Sequence, residues 1–235
     1  MEKVENIPLV ILAGGKGTRI SEYTQTIPKP MIKIGKKPII KHIIDYYKLY
    51  GVKNFFIASG YKQKFIKQYF KKDSSVNVIF TGSNSMTGGR LLRLKKYLKS
   101  TFFLTYGDGL SDINITKLYQ YHLIKKKIAT VTAVHPVARF GEVKFNKDKI
   151  TSFNEKPRVK NDWINGGFFV FEKEIFSFLK NDMTILENQP LRNLVKKKQL
   201  NGFKHDGFWQ CMDTVRERVI LENLYKSDIC PWKKK

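Results

Sequence analysis

Leu9-Val10-Ile11-Leu12-Ala13-Gly14-Gly15-Lys16-Gly17-Thr18-Arg19, with Pro28-Lys29-Pro30 close behind, is the stretch from which the rest of the chain is read. Residues 9–13 form an unbroken apolar run closed by glycines, the pattern of a buried parallel strand that ends in a loop. Glycines lack Cβ, so their backbone N–H groups can approach anionic oxygens closely. Arg19 and Lys29 add positive charge, the first as a bidentate fork and the second as a point charge. Together they predict a cradle for a nucleoside triphosphate. A P-loop is excluded, because Gly15-Lys16 is followed by Gly17 and no glycine stands at the required upstream position. A dinucleotide fingerprint fails too, since the glycines fall at 14, 15 and 17 and no acidic residue follows at the usual distance. The bland alternative is a strand-to-helix turn that binds nothing; Arg19 and Lys29 weigh against it.

The pattern beyond this loop alternates. Residues 38–47 repeat apolar side chains at helical spacing, start on a proline and reach Gly51 as a stop. Residues 55–58 read as a strand, 63–70 as a helix, 76–80 as a strand, 89–98 as a helix and 102–106 as a strand. The last of these ends at Gly107-Asp108-Gly109, with a helix predicted from there to about residue 125. Such alternation predicts an α/β fold, a doubly wound, mostly parallel Rossmann-like sheet with its ligands at the carboxyl ends of the strands. From about residue 128 short strands dominate (129–134, 142–145, 150–153 and 163–171), and they suggest a smaller antiparallel portion that binds the second substrate. Residues 213–226 read as a helix. The chain is expected to be a single domain over 1–235, with a nucleotide half at about 1–127 and an acceptor half, for the second substrate, at about 128–235.

At 235 residues and 42% hydrophobic content, the chain can bury a substantial core. Its 44 Lys and Arg against 20 Asp and Glu give a formal charge of +24, which invites a nucleic-acid partner. The cations are spread over many segments, however, and a solvated Lys-rich surface accounts for them better. Neither a nucleic-acid nor a membrane partner is expected. Two cysteines, Cys211 and Cys230, are too few for a disulfide framework, and a reducing cytoplasm fits.

Two carboxylates stand out. Asp108, between glycines at a strand end, is placed where a hard cation and a ribose hydroxyl could both reach it. Asp213, in Gln210-Cys211-Met212-Asp213-Thr214, is either a second metal ligand or a helix cap. Histidines 42, 122, 135 and 205 read as core or surface residues.

At this point the chain resembles the sugar-1-phosphate nucleotidylyltransferases, and within them the glucose-1-phosphate cytidylyltransferase branch. The resemblance rests on the opening motif together with Ser85-Met86-Thr87-Gly88-Gly89-Arg90, Tyr106-Gly107-Asp108-Gly109, Glu155-Lys156-Pro157, Asn165-Gly166-Gly167 and Gly207-Phe208-Trp209-Gln210-Cys211-Met212-Asp213-Thr214, in that order. The resemblance implies that Leu12, Ala13, Gly14, Gly15, Gly17, Thr18, Arg19 and Lys29 hold CTP, with Arg19 and Lys29 catalytic. It places Gly82, Ser83, Thr87, Gly88 and Arg90 near base, ribose and phosphate. Asp108 also lies at the nucleotide, and Asp108 and Asp213 would hold Mg²⁺. Glu155, Lys156, Asn165 and Gly166 would bind the phosphorylated acceptor. A phosphate monoester oxygen is already anionic near neutral pH, so direct in-line attack on the α-phosphorus needs alignment and charge relief, not a side-chain nucleophile.

The chain departs from that branch between Phe70 and Gly82, where the related enzymes carry an additional segment. The loss bears on acceptor choice and on subunit contacts, the resemblance otherwise implying a homo-oligomer. It keeps open a phosphoglutamine acceptor, giving CDP-glutamine for a capsular phosphoramidate, beside glucose-1-phosphate for surface polysaccharide. A nucleotide-binding module without turnover is the rival of another class; the presence of Arg19, Lys29, Asp108 and Asp213 argues against it.

Overall fold

β1 (Leu9–Ala13) lies at the heart of a seven-stranded sheet in the computed structural model, which describes residues 4–138, 140–155, 162–227 and 229–233. All five of its side chains are buried because both faces are covered. Leu9, Ile11 and Ala13 join one apolar layer, and Val10 and Leu12 join the other.

After β1 come a short helix α1 (Ser21–Thr24), a two-stranded turn of β2 (Lys33–Ile34) and β3 (Lys37–Pro38), and α2 (Ile39–Leu49). In α2 the side chains Ile39, Ile40, Ile43, Ile44 and Tyr47 are buried, one stripe at helical spacing that seals the first layer. β4 (Phe55–Ser59), α3 (Gln63–Phe70), β5 (Val76–Phe80) and α4 (Thr87–Leu92) follow, then β6 (Phe102–Tyr106), β7 (Gly109–Ser111) and α5 (Ile115–Lys125). The second half adds β8 (Ala129–Val134), a hairpin of β9 (Glu142–Asn146) and β10 (Lys149–Asn154), and β11 (Ile164–Phe171). The chain then forms α6 (Gln189–Lys196), β12 (Leu200–His205), β13 (Trp209–Cys211) and α7 (Val215–Lys226). No helix among the described residues is long and apolar enough to cross a membrane.

The sheet order is β12-β8-β11-β6-β1-β4-β5. Pairing is parallel for β1 with β4 and β6, β4 with β5, and β12 with β8; within this sheet only β11 runs against its neighbours, β6 and β8. The chain steps from β1 outward to β4 and β5, then returns to lay β6 on the other side of β1. That reversal opens a crevice at the carboxyl ends of β1 and β6, the place where open α/β sheets bind ligands. The glycine loop and Gly107-Asp108-Gly109 leave those two strand ends side by side, with the Gly107 N–H donating to the Leu12 carbonyl at 3.0 Å.

Several elements differ from the sequence reading. The helix expected over 89–98 starts earlier, at Thr87, ends at Leu92 and gives way to a 3₁₀ turn, Lys95–Tyr97. A strand, β7, intervenes after Gly109 and pairs with β13, so the next helix begins only at Ile115. α6, β12 and β13 lie in a stretch for which no element was expected. β8 and β12 pair in the parallel sense and extend the central sheet, while antiparallel pairing is found between β11 and its two neighbours and in the small sheets β9–β10, β7–β13 and β2–β3. α3 passes to the edge strand β5 through residues 71–75, a turn held by Asp73, which accepts from the Ser75 N–H at 3.1 Å.

A polar chain, buried at His122, Thr130 and Thr101 and one-third exposed at Glu172, ties both halves together. His122 Nδ1 meets Thr130 Oγ1 at 2.8 Å, its Nε2 meets Glu172 Oε1 at 3.0 Å, and the Thr101 hydroxyl donates to Glu172 at 2.9 Å. The His122 contact, ahead of the opposing effect of burial and with the help of Thr101, holds the Glu172 carboxyl below the ordinary glutamate value. A depressed folded pKa contributes stability above the unfolded value, which is lost as pH falls through the folded one. Glu172→Gln should therefore cost about 1–2 kcal/mol at neutral pH and flatten the acid limb of stability, read by urea unfolding between about pH 3 and 7; an unchanged acid limb would show that the network carries none of it.

Candidate active site

Lys29 is the centre of the crevice. Pro28 enters extended and Pro30 stands in the first turn of the 3₁₀ helix Lys29–Met31, which fixes the backbone that presents the lysine. Its side chain is only 11% exposed, and its ammonium donates to both Asp108 Oδ2 and Asp213 Oδ1. Burial pulls the Lys29 pKa down, but the Coulombic pull of Asp108 and its hydrogen bonds to both carboxylates more than offset this, so it lies above the ordinary lysine value. Arg19, 70% exposed, reaches back to Asp213 Oδ2 at 2.8 Å. Two carboxylates that are 184 and 79 residues from Lys29 in sequence thus converge on one cation. Both stay partly open to the crevice, at 25% and 19% exposure.

Asp213 is not the helix cap. Thr214 caps α7: its hydroxyl accepts from the Glu217 N–H, while Glu217 Oε2 accepts from the Thr214 N–H at 2.8 Å and the Asp213 N–H at 2.6 Å. The capping box leaves the Asp213 carboxylate directed at Lys29 and Arg19. Cys211 Sγ lies 3.8 Å from both Asp213 Oδ2 and Glu217 Oε1. Burial, then the charges of Glu217, Asp213 and Asp108, push its thiol up to about 12, so it is a protonated donor here and not a nucleophile.

The glycine loop rests on Arg90. Its guanidinium donates to the carbonyls of Gly14 at 2.9 Å, Gly82 at 2.7 Å, Ser59 at 3.4 Å and Ser83 at 3.4 Å, and to Thr81 Oγ1 at 3.2 Å. A Cβ at Gly14 would sit 2.0 Å from Arg90 Nη1. Glycine at 14 is thus demanded by the arginine beneath the loop, whereas Gly15 faces open space on the other side. Gly17 has φ +67°, and its carbonyl accepts from the Thr24 hydroxyl at 3.0 Å, which fixes the turn that exposes Thr18 and Arg19. Leu12 and Ala13 are buried at the strand end.

On the far side of Asp108, Asn165 sits near the start of β11 with its amide N–H₂ donating to the Tyr106 hydroxyl at 3.4 Å and its carbonyl accepting from Gly167 N–H at 2.8 Å. The Gly166 carbonyl accepts from Trp209 Nε1 at 2.7 Å, which ties the Asn165-Gly166-Gly167 stretch to the strand leading to Asp213. Glu155 follows β10 at the exposed end of the hairpin. Lys156 lies outside the described residues, as do Pro157, Arg158 and Lys160. Thr87 and Gly88 open α4; Thr87 does not point to a loop carbonyl but donates to Glu187 Oε2 at 2.6 Å, and Tyr106 donates to Glu187 Oε1. Glu187 had no signal in the sequence, standing alone in a stretch without periodicity; Tyr106 and Trp209 were visible only as members of motifs.

A glycine loop, a lysine held by two carboxylates and the Asn165-Gly166-Gly167 start of β11 therefore surround one strand-order reversal. The family profile for nucleotidyl transferase matches residues 9–210. The chain belongs to the nucleotidyl transferase family. It is a nucleotidyltransferase enzyme similar to glucose-1-phosphate cytidylyltransferase of Salmonella typhimurium, 41% identical over 251 aligned positions that span 95% of this chain and 98% of the relative. The alignment is longer than the 235 residues of this chain, so the relative carries segments that this family member lacks. A Campylobacter jejuni D-glycero-alpha-D-manno-heptose 1-phosphate guanylyltransferase is 33% identical over 183 positions, 76% of this chain and 80% of the relative. Among solved structures, HddC from Yersinia pseudotuberculosis superposes with a TM-score of 0.75 at 24% identity, covering 94% of this chain and all of that one. The same protein complexed with GMP-PN gives 0.74. At that identity the likeness is one of fold.

Proposed function

We propose that this nucleotidyltransferase is a Mg²⁺-dependent cytidylyltransferase that transfers CMP from CTP to a phosphorylated acceptor, glucose-1-phosphate in the first instance, for surface-polysaccharide synthesis. The observation that carries the reading is the convergence of Lys29, Arg19, Asp108 and Asp213 at the strand-order reversal, in a chain 41% identical to a glucose-1-phosphate cytidylyltransferase. The nucleotide would lie on the loop from Leu12 to Arg19, and the acceptor on the side of Glu155, Lys156, Asn165 and Gly166.

The donor chemistry suits a hard divalent ion: two carboxylates that already share one cation are both oxygen donors, and Mg²⁺ completes its shell with phosphate oxygens and water. Asp108 and Asp213 would hold it, and it would supply neutralisation of the triphosphate charge. The protein's part is placement. An anionic oxygen of the acceptor phosphate forms a bond to the α-phosphorus as the bond from that phosphorus to the bridging oxygen of the pyrophosphate breaks. Pyrophosphate leaves with the electron pair, and Arg19 and Lys29 offset the charge that gathers there. No histidine is required: His42 and His122 are buried and hydrogen-bonded behind the sheet.

The test is pyrophosphate release with CTP and Mg²⁺ over a panel of glucose-1-phosphate, other sugar-1-phosphates and phosphoglutamine. Release with glucose-1-phosphate supports the reading. Release only with phosphoglutamine would keep the cytidylyl half and reassign the acceptor, and no release with any acceptor would favour a binding module. Replacing CTP by UTP should cut turnover by about 10²-fold or more, because a site built for the cytosine amine meets a carbonyl instead; equal rates would overturn the base assignment.

A further inference from the structure

The Met86-Thr87-Gly88-Gly89-Arg90 motif is built to receive a second stretch of chain. A Cβ at Gly89 would lie 2.1 Å from the Asp182 carbonyl oxygen, and one at Gly88 would lie 2.8 Å from the Thr184 side chain. Backbone hydrogen bonds lace the two stretches together: Met86 N–H to Asp182 O at 2.8 Å and Gly89 N–H to Thr184 O at 3.1 Å. The Leu186 N–H then donates to Thr87 Oγ1 at 2.9 Å. The glycines of the motif are therefore close-approach positions for residues 182–186, and what this docking delivers to the crevice is the carboxylate of Glu187.

Both Glu187 oxygens are used. Oε2 accepts from the Thr87 hydroxyl at 2.6 Å and Oε1 accepts from the Tyr106 hydroxyl. With its proton committed to Glu187, the Tyr106 oxygen is left as an acceptor, and it takes the Asn165 amide at 3.4 Å. Asn165 is in turn held by Gly167 N–H at 2.8 Å, where β11 is irregular against β8. A continuous chain of hydrogen bonds thus runs from the start of α4, whose Arg90 supports the glycine loop, through Glu187 and Tyr106 to the acceptor side.

We propose that Glu187 is a positioning residue that orients Asn165 for the phosphorylated acceptor through Tyr106, and so makes acceptor binding depend on the same helix that supports the nucleotide loop. The proposal rests on the cytidylyltransferase reading for its substrates, but the relay itself is a property of the ligand-free protein. A charged acceptor shared by two hydroxyls gives each of them a fixed proton direction, which a neutral or absent partner cannot impose.

Glu187→Ala and Tyr106→Phe should each raise the acceptor KM about tenfold, while the CTP affinity measured by equilibrium binding changes less than about threefold. The double variant should be no worse than either single one, because both break one relay. Glu187→Gln, which keeps one oxygen acceptor, should recover part of the loss. A residue that only stabilises the fold would lower the melting temperature and the active fraction without this split between acceptor and CTP. Acceptor KM values unchanged in folded Glu187→Ala and Tyr106→Phe, or losses that add, would overturn the proposal. A second readout needs no turnover: the side-chain amide resonances of Asn165, identified by their loss in Asn165→Asp, should shift in Glu187→Ala and in Tyr106→Phe. Unshifted resonances would remove the relay even if the wild type is fully active, whereas shifted resonances in a protein that releases no pyrophosphate with any acceptor would keep the relay and remove the enzymatic reading instead.

Discussion

Asp108→Asn should lower turnover about 10³-fold, the equivalent of about 4 kcal/mol of transition-state stabilisation, and should abolish its dependence on Mg²⁺. The amide fills the same space but carries no charge. It leaves the Lys29 ammonium, 11% exposed, facing Asp213 alone on the carboxylate side, and it removes one of the two hard oxygen donors proposed for the metal. Because Asp108 is one quarter exposed at a strand-end loop, the fold should survive with a melting temperature within a few degrees of the wild type. Pyrophosphate release across a Mg²⁺ titration, with thermal unfolding alongside, checks both parts. Full activity with an unaltered Mg²⁺ profile would take Asp108 out of the metal site. Asp213→Asn should be at least as damaging, since that carboxylate is also the partner of Arg19 at 2.8 Å.

The second large effect is expected at Arg90. This side chain is 5% exposed, and among the described residues its acceptors are four carbonyls and one hydroxyl, all neutral. Burial, and then the nearby Arg93, pull its pKa below the ordinary arginine value. A cation held by neutral acceptors directly beneath a glycine loop adds positive potential where a triphosphate would sit, and its fork keeps the Gly14 and Gly82 carbonyls in place. A lysine brings the charge but not the fork. Arg90→Lys should therefore cost about 3 kcal/mol of stability, through carbonyls left without donors, and weaken CTP binding about 10²-fold. Urea unfolding and equilibrium CTP binding measure the two separately. Wild-type CTP affinity in the lysine variant would show that charge alone suffices and that the fork has no role.

Much of the fold was legible because parallel α/β architecture writes itself into local patterns. The runs at 9–13, 55–59 and 102–106 are strands buried on both faces, and α2 shows its buried stripe at every helical turn. Legibility failed where pairing over long distance, and not local pattern, makes the element. β7 and β13 are three residues each and exist only because Gly109–Ser111 meets Trp209–Cys211 across the chain. β12 has no clean alternation, since as an edge strand it is only half buried against β8. α6 sets Pro190, Leu191 and Leu194 against the core, but at eight residues with a proline in its first turn it is too short a window for helical periodicity to stand out in the sequence.

By itself the sequence determined the fold class and the family, and it singled out the glycine loop, Arg19, Lys29 and the two aspartates as candidates, because glycines, cations and carboxylates at strand ends carry their chemistry in their identity. Only the tertiary structure decided how they combine. The reversal of strand order brings Asp108 to the Lys29 ammonium, the pairing of β13 with β7 brings Asp213 beside it, and the capping box at Thr214 and Glu217 releases Asp213 from helix-cap duty. The docking of residues 182–186 on Gly88 and Gly89 carries Glu187 to Thr87 and Tyr106. Each of these is a contact between groups far apart in the chain, and the direction in which a carboxylate or guanidinium spends its hydrogen bonds is set by the partners that folding brings to it.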